Sequence, residues 1–169
     1  FFDNSGSVQV QTGTINYSGG ATLGGSFQAD SGKAINFTSG TFTLSSPPDF
    51  QGPGLVQITT TSTLNAFTGT FTLNGITLAG QSTIAATGII NLNGSPLGDG
   101  ASLTIGSNAV LNIQTGTTFS GVVTNLGTVN WLAGNVNVNT NAPASTGTIW
   151  NQAGALFDIQ CDQVVVNGI

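Results

Sequence analysis

Residue types that carry acid–base or nucleophilic chemistry are scarce in this chain. Its 169 residues include no histidine, one basic side chain (Lys33) and one cysteine (Cys161). A pair of carboxylates can hydrolyse a glycosidic bond, and the sequence offers six acidic residues, all aspartates: Asp3, Asp30, Asp49, Asp99, Asp158 and Asp162. They are scattered, and several adjoin Gly, Pro or Ser, which is typical of turns. The sequence therefore predicts no catalytic site, no enzyme activity and no cofactor.

The sequence also lacks the residue types that metal sites and nucleophilic triads need. A Ser-His-Asp or Cys-His arrangement needs the missing histidine, and a lone cysteine forms neither an intrachain disulfide nor a CxxC zinc site. Asp99, in "LGDGAS", is the best calcium candidate, because carboxylate and carbonyl oxygens bind calcium at turns. The repeated Asp spacing of calcium-binding nonapeptide repeats is missing, so we expect no metal site.

Charge and hydropathy exclude two classes of partner. Charged residues make up 4% of the chain, against about a quarter in ordinary soluble domains. One basic side chain cannot neutralise a phosphate backbone, so we expect no nucleic-acid partner. Residues 50–98 contain no charge, but polar residues and glycines interrupt every run well before the roughly 20 apolar residues of a membrane span. We therefore expect no membrane insertion.

A short apolar–amide–apolar segment recurs along the chain. Its central residue is an amide or the corresponding acid each time, at Gln9, Asn36, Gln57, Asn91, Asn112, Asn130 and Asp158. Alternation with a period of two predicts a β-strand with the amide on one face. A glycine often precedes the segment, where a positive φ would let the chain turn a corner. If the amides form a line, they can hydrogen-bond from one repeat to the next.

A second strand type carries threonines. The motif "GTFTL" occurs at 40–44 and again at 69–73, and related strands contribute Thr14, Ser102 and Thr104. We predict that the two copies stack as neighbouring rungs about 4.8 Å apart. Phe42 would then lie over Phe71 and Leu44 over Leu73 inside the core, with the threonines outside.

Short strands, glycine corners and a steady repeat favour a solenoid. We predict an all-β parallel β-helix of about 6–7 coils of roughly 25 residues, in which each coil adds one strand to each of several sheets. An antiparallel sandwich is the alternative, because short strands with regular turns fit it too. The recurrence of the amide in one slot favours the solenoid.

The exposed polar rows are the candidate binding face. Regular Thr-x-Thr arrays on flat β-solenoids are typical of ice-binding proteins. A strip of amide side chains could bind sugars. The residues of this candidate face are Thr41, Thr43, Thr70, Thr72, Asn91, Asn112 and Asn130. A purely structural role for both rows is the competing interpretation, because Thr suits exposed strands.

The segments "NLGTVNWLAGNVNV" (125–138) and "NQAGALFDIQ" (151–160) resemble the repeats of large secreted bacterial surface proteins. These proteins include filamentous-haemagglutinin-like and autotransporter passenger proteins. The resemblance implies a right-handed β-helix, export to the cell surface or medium, and a structural or adhesive role. It carries over no functional residue, because those families share no site motif.

The residue patterns at both chain ends resemble those in the middle of a coil, and they lack the polar caps of terminal repeats. We therefore expect residues 1–169 to form one β-solenoid domain that is a piece of a longer repeat protein. The alternative is that separate solenoids stack end to end. The expected partners are further copies or repeats of this kind and surface glycans.

Overall fold

The computed structural model describes residues 2–44, 48–51, 53–58, 62–66, 71–74, 77–78, 81–84, 88–141 and 145–168. All regular elements there are β-strands. In chain order they are β1 (Phe2–Asn4), β2 (Ser7–Val10), β3 (Thr14–Ser18), β4 (Ala21–Leu23), β5 (Ser26–Ala29), β6 (Ala34–Leu44), β7 (Asp49–Gln51), β8 (Leu55–Ile58), β9 (Ser62–Ala66), β10 (Phe71–Asn74), β11 (Thr77–Leu78), β12 (Gln81–Ile84), β13 (Ile89–Asn93), β14 (Ser102–Ile105), β15 (Val110–Ile113), β16 (Thr117–Phe119), β17 (Val122–Asn125), β18 (Thr128–Trp131), β19 (Val136–Asn139), β20 (Thr148–Asn151), β21 (Leu156–Ile159) and β22 (Val165–Gly168).

The strands recur in a three-step order that winds the chain into a parallel β-solenoid. The first face runs β1-β4-β6-β9-β12-β14-β17-β20. The second position in each turn is taken by β2-β5-β7 and then by β10-β13-β15-β18-β21. The third face contains β3, the first half of β6, β8 and β11, and then β16-β19-β22, with Leu97 bridging Leu78 to Phe119.

All strand pairs in the described part of the chain are parallel, as the paired strands β14 and β17 and the paired strands β15 and β18 illustrate. The predicted all-β solenoid is therefore confirmed, and the antiparallel sandwich is wrong. Parallel strands cannot be joined by tight hairpins. Winding around a common axis brings each strand back beside the equivalent strand of the previous turn. The backbone N–H and C=O groups of the two strands can then hydrogen-bond to each other.

Alternating side chains build one continuous core. Along β14, β15, β17 and β18 every second residue is buried, as the strand period of two requires. Inward rows are apolar from turn to turn. One of them contains Ile90, Leu111 and Val129 in direct register, each at most 1% exposed.

The first turns of the core are aromatic. Tyr17 stacks on Phe37 with ring centroids 5.5 Å apart, and Phe27 meets both rings edge-on. Phe42 contacts Phe37 at 5.2 Å, and Phe2 closes the cluster over Tyr17 at 4.6 Å. The Tyr17 hydroxyl is buried there without a hydrogen-bond partner, and burial raises the pKa of Tyr17 above the ordinary tyrosine value.

The two "GTFTL" copies do not stack on each other, so that prediction is wrong. Phe42 lies on the first face, in register with Ala21 and Leu64, whereas Phe71 lies at the second position, in register with Ile90. The alternating pattern makes each copy a strand with one apolar side. The pattern does not determine which sheet of the three-sided solenoid the strand joins.

The repeat is also shorter than the roughly 25 residues predicted. Side chains that hydrogen-bond between successive turns are 20, 21 and 18 residues apart for Asn16–Asn36, Asn91–Asn112 and Asn112–Asn130. The step from Asn125 to Asn151 is longer, at 26 residues. The predicted spacing was too long because it averaged segments that belong to different faces, such as those of Gln9 and Asn36.

Two buried asparagines hold corners of the solenoid together. Asn4 Oδ1 accepts from the Gly6 N–H, and its Nδ2 donates to the Gly24 carbonyl of the next turn at 2.7 Å. Asn125 repeats this pattern: its Oδ1 accepts from the Gly127 N–H, while its Nδ2 donates to the Leu156 carbonyl at 2.8 Å. We call this arrangement the asparagine corner. It satisfies backbone groups that the strand ladders leave unpaired at these two bends.

Glycine serves these corners in two ways. Gly32 and Gly154 adopt positive φ, as predicted for a chain that must turn sharply. Gly127 does not; a Cβ there would instead collide with the carbonyl oxygens of Gly106 and Ala109. Close stacking of one corner on the preceding corner, rather than backbone conformation, therefore requires glycine at this position.

We expect Leu111→Ala to lower the free energy of unfolding by about 2–5 kcal/mol, because it empties a site in the middle of the core. Leu111 is 0% exposed. The matched control is Leu126→Ala at a corner, where the side chain is 45% exposed and the expected change stays within about 0.5 kcal/mol. Denaturant unfolding followed by circular dichroism measures both. Equal losses for the two variants would contradict the assignment of inward and outward rows.

Candidate binding faces

Three predicted site residues form one hydrogen-bonded line at the second position of the solenoid. Asn112 Nδ2 donates to Asn91 Oδ1 at 2.8 Å, and Asn130 Nδ2 donates to Asn112 Oδ1, also at 2.8 Å. We call these three residues the asparagine ladder. Thr72 precedes it and Asp158 follows it in the same register row. The structure thus brings together four of the seven predicted site residues.

The ladder is partly sheltered rather than fully open. Asn91 is 7% exposed, while Asn112 and Asn130 are half-buried. An amide has both a donor and an acceptor, so identical amides stacked in parallel register satisfy one another. This chemistry supports the structural interpretation of the amide row: its polar atoms are engaged with one another along the solenoid.

The seven amide and acid residues of the recurring segment do not form one line, because they are divided between two faces. Gln9 lies in register with Gln28 and Gln51 on β2, β5 and β7. Asn36 lies on the third face in register with Gln57, and its Nδ2 donates to Asn16 Oδ1 at 2.8 Å. The apolar–amide–apolar pattern occurs on more than one sheet. On each sheet the outward residue lies beside the equivalent residue of the next turn, and an amide can hydrogen-bond to another amide there.

A longer polar row than the predicted one runs along the first face. Successive strands β6, β9, β12, β14 and β17 place a threonine in the same register position, and β20 ends the series with Trp150. We call this set the threonine row; its members are Thr41, Thr63, Thr83, Thr104 and Thr124. Thr41 is exposed and Thr104 and Thr124 are half-buried, while the Trp150 side chain is 56% exposed.

Sequence reasoning found only part of this row. Thr41 and Thr104 were predicted, whereas Thr63, Thr83 and Thr124 were missed because their strands lack the "GTFTL" motif. The signal that could have found them is a threonine flanked by residues of the alternating pattern in "STLNA", "QSTI" and "VVTN". Strand-to-strand spacing of about 20 residues, rather than motif identity, identifies the row.

The remaining predicted threonines do not join one array. Thr43 lies on the first face beside the threonine row, in register with Thr22 and Asn65. Thr14 belongs to the third face and Thr72 to the second position, so the expected array that combined them is wrong. Thr70 lies outside the described residues.

The carboxylates do not assemble into a site in the part of the chain that the structure describes. No group of three or more His, Cys, Asp or Glu side chains that could hold a metal ion occurs there. Asp99 accepts a hydrogen bond from the Ser145 hydroxyl at 2.6 Å, and Asp158 accepts one from Gln160 Nε2 at 2.6 Å. Both contacts are those of turn and edge residues. The same part of the chain contains no helix able to cross a bilayer.

The geometry defines a class of molecule, a parallel β-solenoid whose polar rows are almost free of charge. Comparison of the chain with protein-family models, with curated proteins and with solved structures found no match. Function is therefore inferred from the rows themselves.

We expect Asn112→Ala to destabilise the fold by about 1–3 kcal/mol, because Asn91 Oδ1 loses its donor and Asn130 Nδ2 loses its acceptor at partly buried positions. Asn108→Ala, at an exposed turn position, is the matched control and should change the free energy of unfolding by less than about 0.5 kcal/mol. Urea denaturation checks both variants. If Asn112→Ala costs no more than the control, the ladder does not stabilise the stack.

Proposed function

We propose that this chain is a non-enzymatic structural or adhesive module of an extracellular bacterial surface protein or filament. The observation that supports this most strongly is the stack of parallel strands around one core, whose first face runs from β1 to β20 through paired strands. Such a stack is rigid along its axis because every turn is bonded to the turn before and the turn after it. The likeness of its repeats to those of secreted bacterial surface proteins supports the bacterial cell surface as the location.

The chemistry of the outer rows supports adhesion rather than catalysis. The asparagine ladder and the threonine row consist of neutral amide and hydroxyl side chains, and the whole sequence contains one basic side chain. Neutral hydroxyl and amide groups can hydrogen-bond to a surface without the large desolvation cost of burying ions. Repetition along the rod multiplies weak contacts into avidity.

We expect bacteria that display residues 1–169 to attach to glass or to one another several-fold more than bacteria that display an unrelated domain of equal size. Multivalent polar contact by a rigid rod is the physical reason. Attachment under flow is the measurement. The control Asp158→Asn, which removes a carboxylate and keeps an amide in the row, should leave attachment unchanged. Attachment equal to that of the unrelated domain, or its loss in Asp158→Asn, would contradict the proposal.

A second candidate, an ice- or glycan-binding solenoid, is favoured by one observation, the in-register threonine row. Parallel strands repeat each threonine about every 4.8 Å along the axis, which offers a regular array of hydroxyl and methyl groups. Trp150 on β20 ends the row next to Thr124.

We expect thermal hysteresis, or binding on a glycan array, to fall at least tenfold in Thr104→Lys if the threonine row is the binding surface. A long charged side chain in the middle of the row displaces whatever lies flat on it. Thr14→Lys is the matched control, because Thr14 is an exposed threonine on the third face, and it should retain full activity. A wild-type chain with neither hysteresis nor glycan binding would overturn this candidate.

A further inference from the structure

An outward-facing tryptophan lies in line with the threonine row. Ile149 of β20 is in register with the buried Val123 and packs against the core. The next residue, Trp150, therefore points away from the core, as the strand period of two requires. Its register partner is Thr124, a member of the threonine row. The line of hydroxyl and methyl groups thus continues directly into an indole ring.

The other tryptophan of the chain has a different environment. Trp131 is buried in the core, and its Nε1–H donates to the Gly134 carbonyl at 2.7 Å. Trp150 is exposed, and its indole N–H donates to no other residue in the part of the chain that the structure describes. Tryptophan is enriched at binding surfaces because it combines a large apolar ring with a polar N–H group. Trp150 has both of these features available to a ligand.

The backbone that carries Trp150 is held in a fixed position beside the threonine row. The whole of β20 is paired with β17. At the end of this pair Asn125 Nδ2 donates to Asn151 Oδ1 at 2.7 Å, and the Gln152 N–H donates to the Asn125 carbonyl at 3.0 Å. A ligand that contacts Trp150 and Thr124 together therefore meets a preorganised surface, which lowers the entropic cost of binding.

The threonines form a single row rather than a two-dimensional array. At the neighbouring outward position, the strands β12, β14, β17 and β20 carry four different residues, Gln81, Ser102, Val122 and Thr148. On the other side of the row, Thr43 is in register with Asn65. A single line of hydroxyl groups along the axis matches a linear ligand better than it matches a flat lattice such as ice.

The surroundings of the row favour a neutral ligand. The strands β9, β12, β14, β17 and β20 contain no charged residue, and the one basic side chain, Lys33, directly precedes the third-face half of β6. An anionic ligand would thus find no cationic partner for charge-assisted hydrogen bonds on these strands. Threonine hydroxyls act both as donors and as acceptors, which suits a ligand that is itself rich in hydroxyl groups.

We propose that a linear chain of neutral sugars lies along the threonine row, with one pyranose ring stacked on the Trp150 indole. This inference rests on the proposed adhesive role in its glycan-binding form, for which it names the ligand class and the anchoring residue. A pyranose ring carries C–H groups on its faces and hydroxyl groups around its rim. The C–H groups suit the electron-rich face of the indole, while the rim hydroxyls can exchange hydrogen bonds with Thr124 and Thr104.

Titration with neutral oligosaccharides of glucose, galactose or N-acetylglucosamine tests the stacking. Because Trp131 is buried, a saturable change in tryptophan emission reports on Trp150, and we expect one for at least one of these sugars. Trp150→Ala should weaken binding of that sugar by about tenfold or more in calorimetry, since tryptophan anchors carry much of the binding energy at interfaces. Leu55→Ala, at an exposed apolar residue on the third face, is the matched control and should bind as the wild type does.

A second pair of variants tests the row beside the tryptophan. Thr124→Val removes a hydroxyl but keeps the branched shape, and the lost hydrogen bond should weaken sugar binding several-fold. Thr128→Val is the matched control, because Thr128 is also a half-buried threonine but belongs to the second position of the solenoid. Undiminished binding by Trp150→Ala, or equal weakening by the two valine variants, would overturn the proposed site.

The same measurements separate this inference from the proposed function. A wild type that binds none of the sugars overturns the inference, and the proposed function stands if that protein still promotes bacterial attachment. Sugar binding at Trp150 without any attachment would contradict the proposed function and support the inference. Thermal hysteresis without sugar binding would assign the row to ice. A change in emission with phosphatidylcholine vesicles but with no sugar would assign Trp150 to a membrane surface, and either of these last two results would overturn the inference.

Discussion

The strands of this molecule depend on hydrogen bonds to the equivalent strands of neighbouring turns. The pairing is parallel and in register, so residues of equal position in successive turns lie directly beside one another along the axis. A side chain at one level is thus tolerated only if it can lie next to its counterparts above and below. This constraint governs the core, the corners and the outer rows alike.

The unusual composition follows from the same constraint. Like charges placed directly opposite on neighbouring strands are destabilising, and in a stack with an axial repeat of about 4.8 Å they would recur at every turn. Threonine and serine pack beside their own kind without repulsion, and amides can in addition hydrogen-bond to one another, as Asn91, Asn112 and Asn130 do. A chain with 4% charged residues is therefore well suited to this architecture and obtains its surface polarity from neutral groups.

Stacking also links architecture to the proposed role. Because each turn supports the next, the fold grows along one axis and leaves long, regular outer rows, which suit a rigid module that makes many weak contacts. The asparagine corners at Asn4 and Asn125 each couple one turn to the next through a backbone carbonyl.

The sequence by itself determined the class of fold, the alternation of inward and outward residues, and the amide pairing between turns. These are local properties, set by the strand period of two and by residues that can pair with their own copies. Tertiary structure alone decided which face each strand joins. Phe42 and Phe71 occur in identical motifs yet lie on different sheets, and the threonine row draws Thr63, Thr83 and Thr124 from dissimilar strands. The physical reason is that a strand's pattern states which side is apolar, whereas its place in a three-sided solenoid depends on corner lengths and on the strand already in position beneath it.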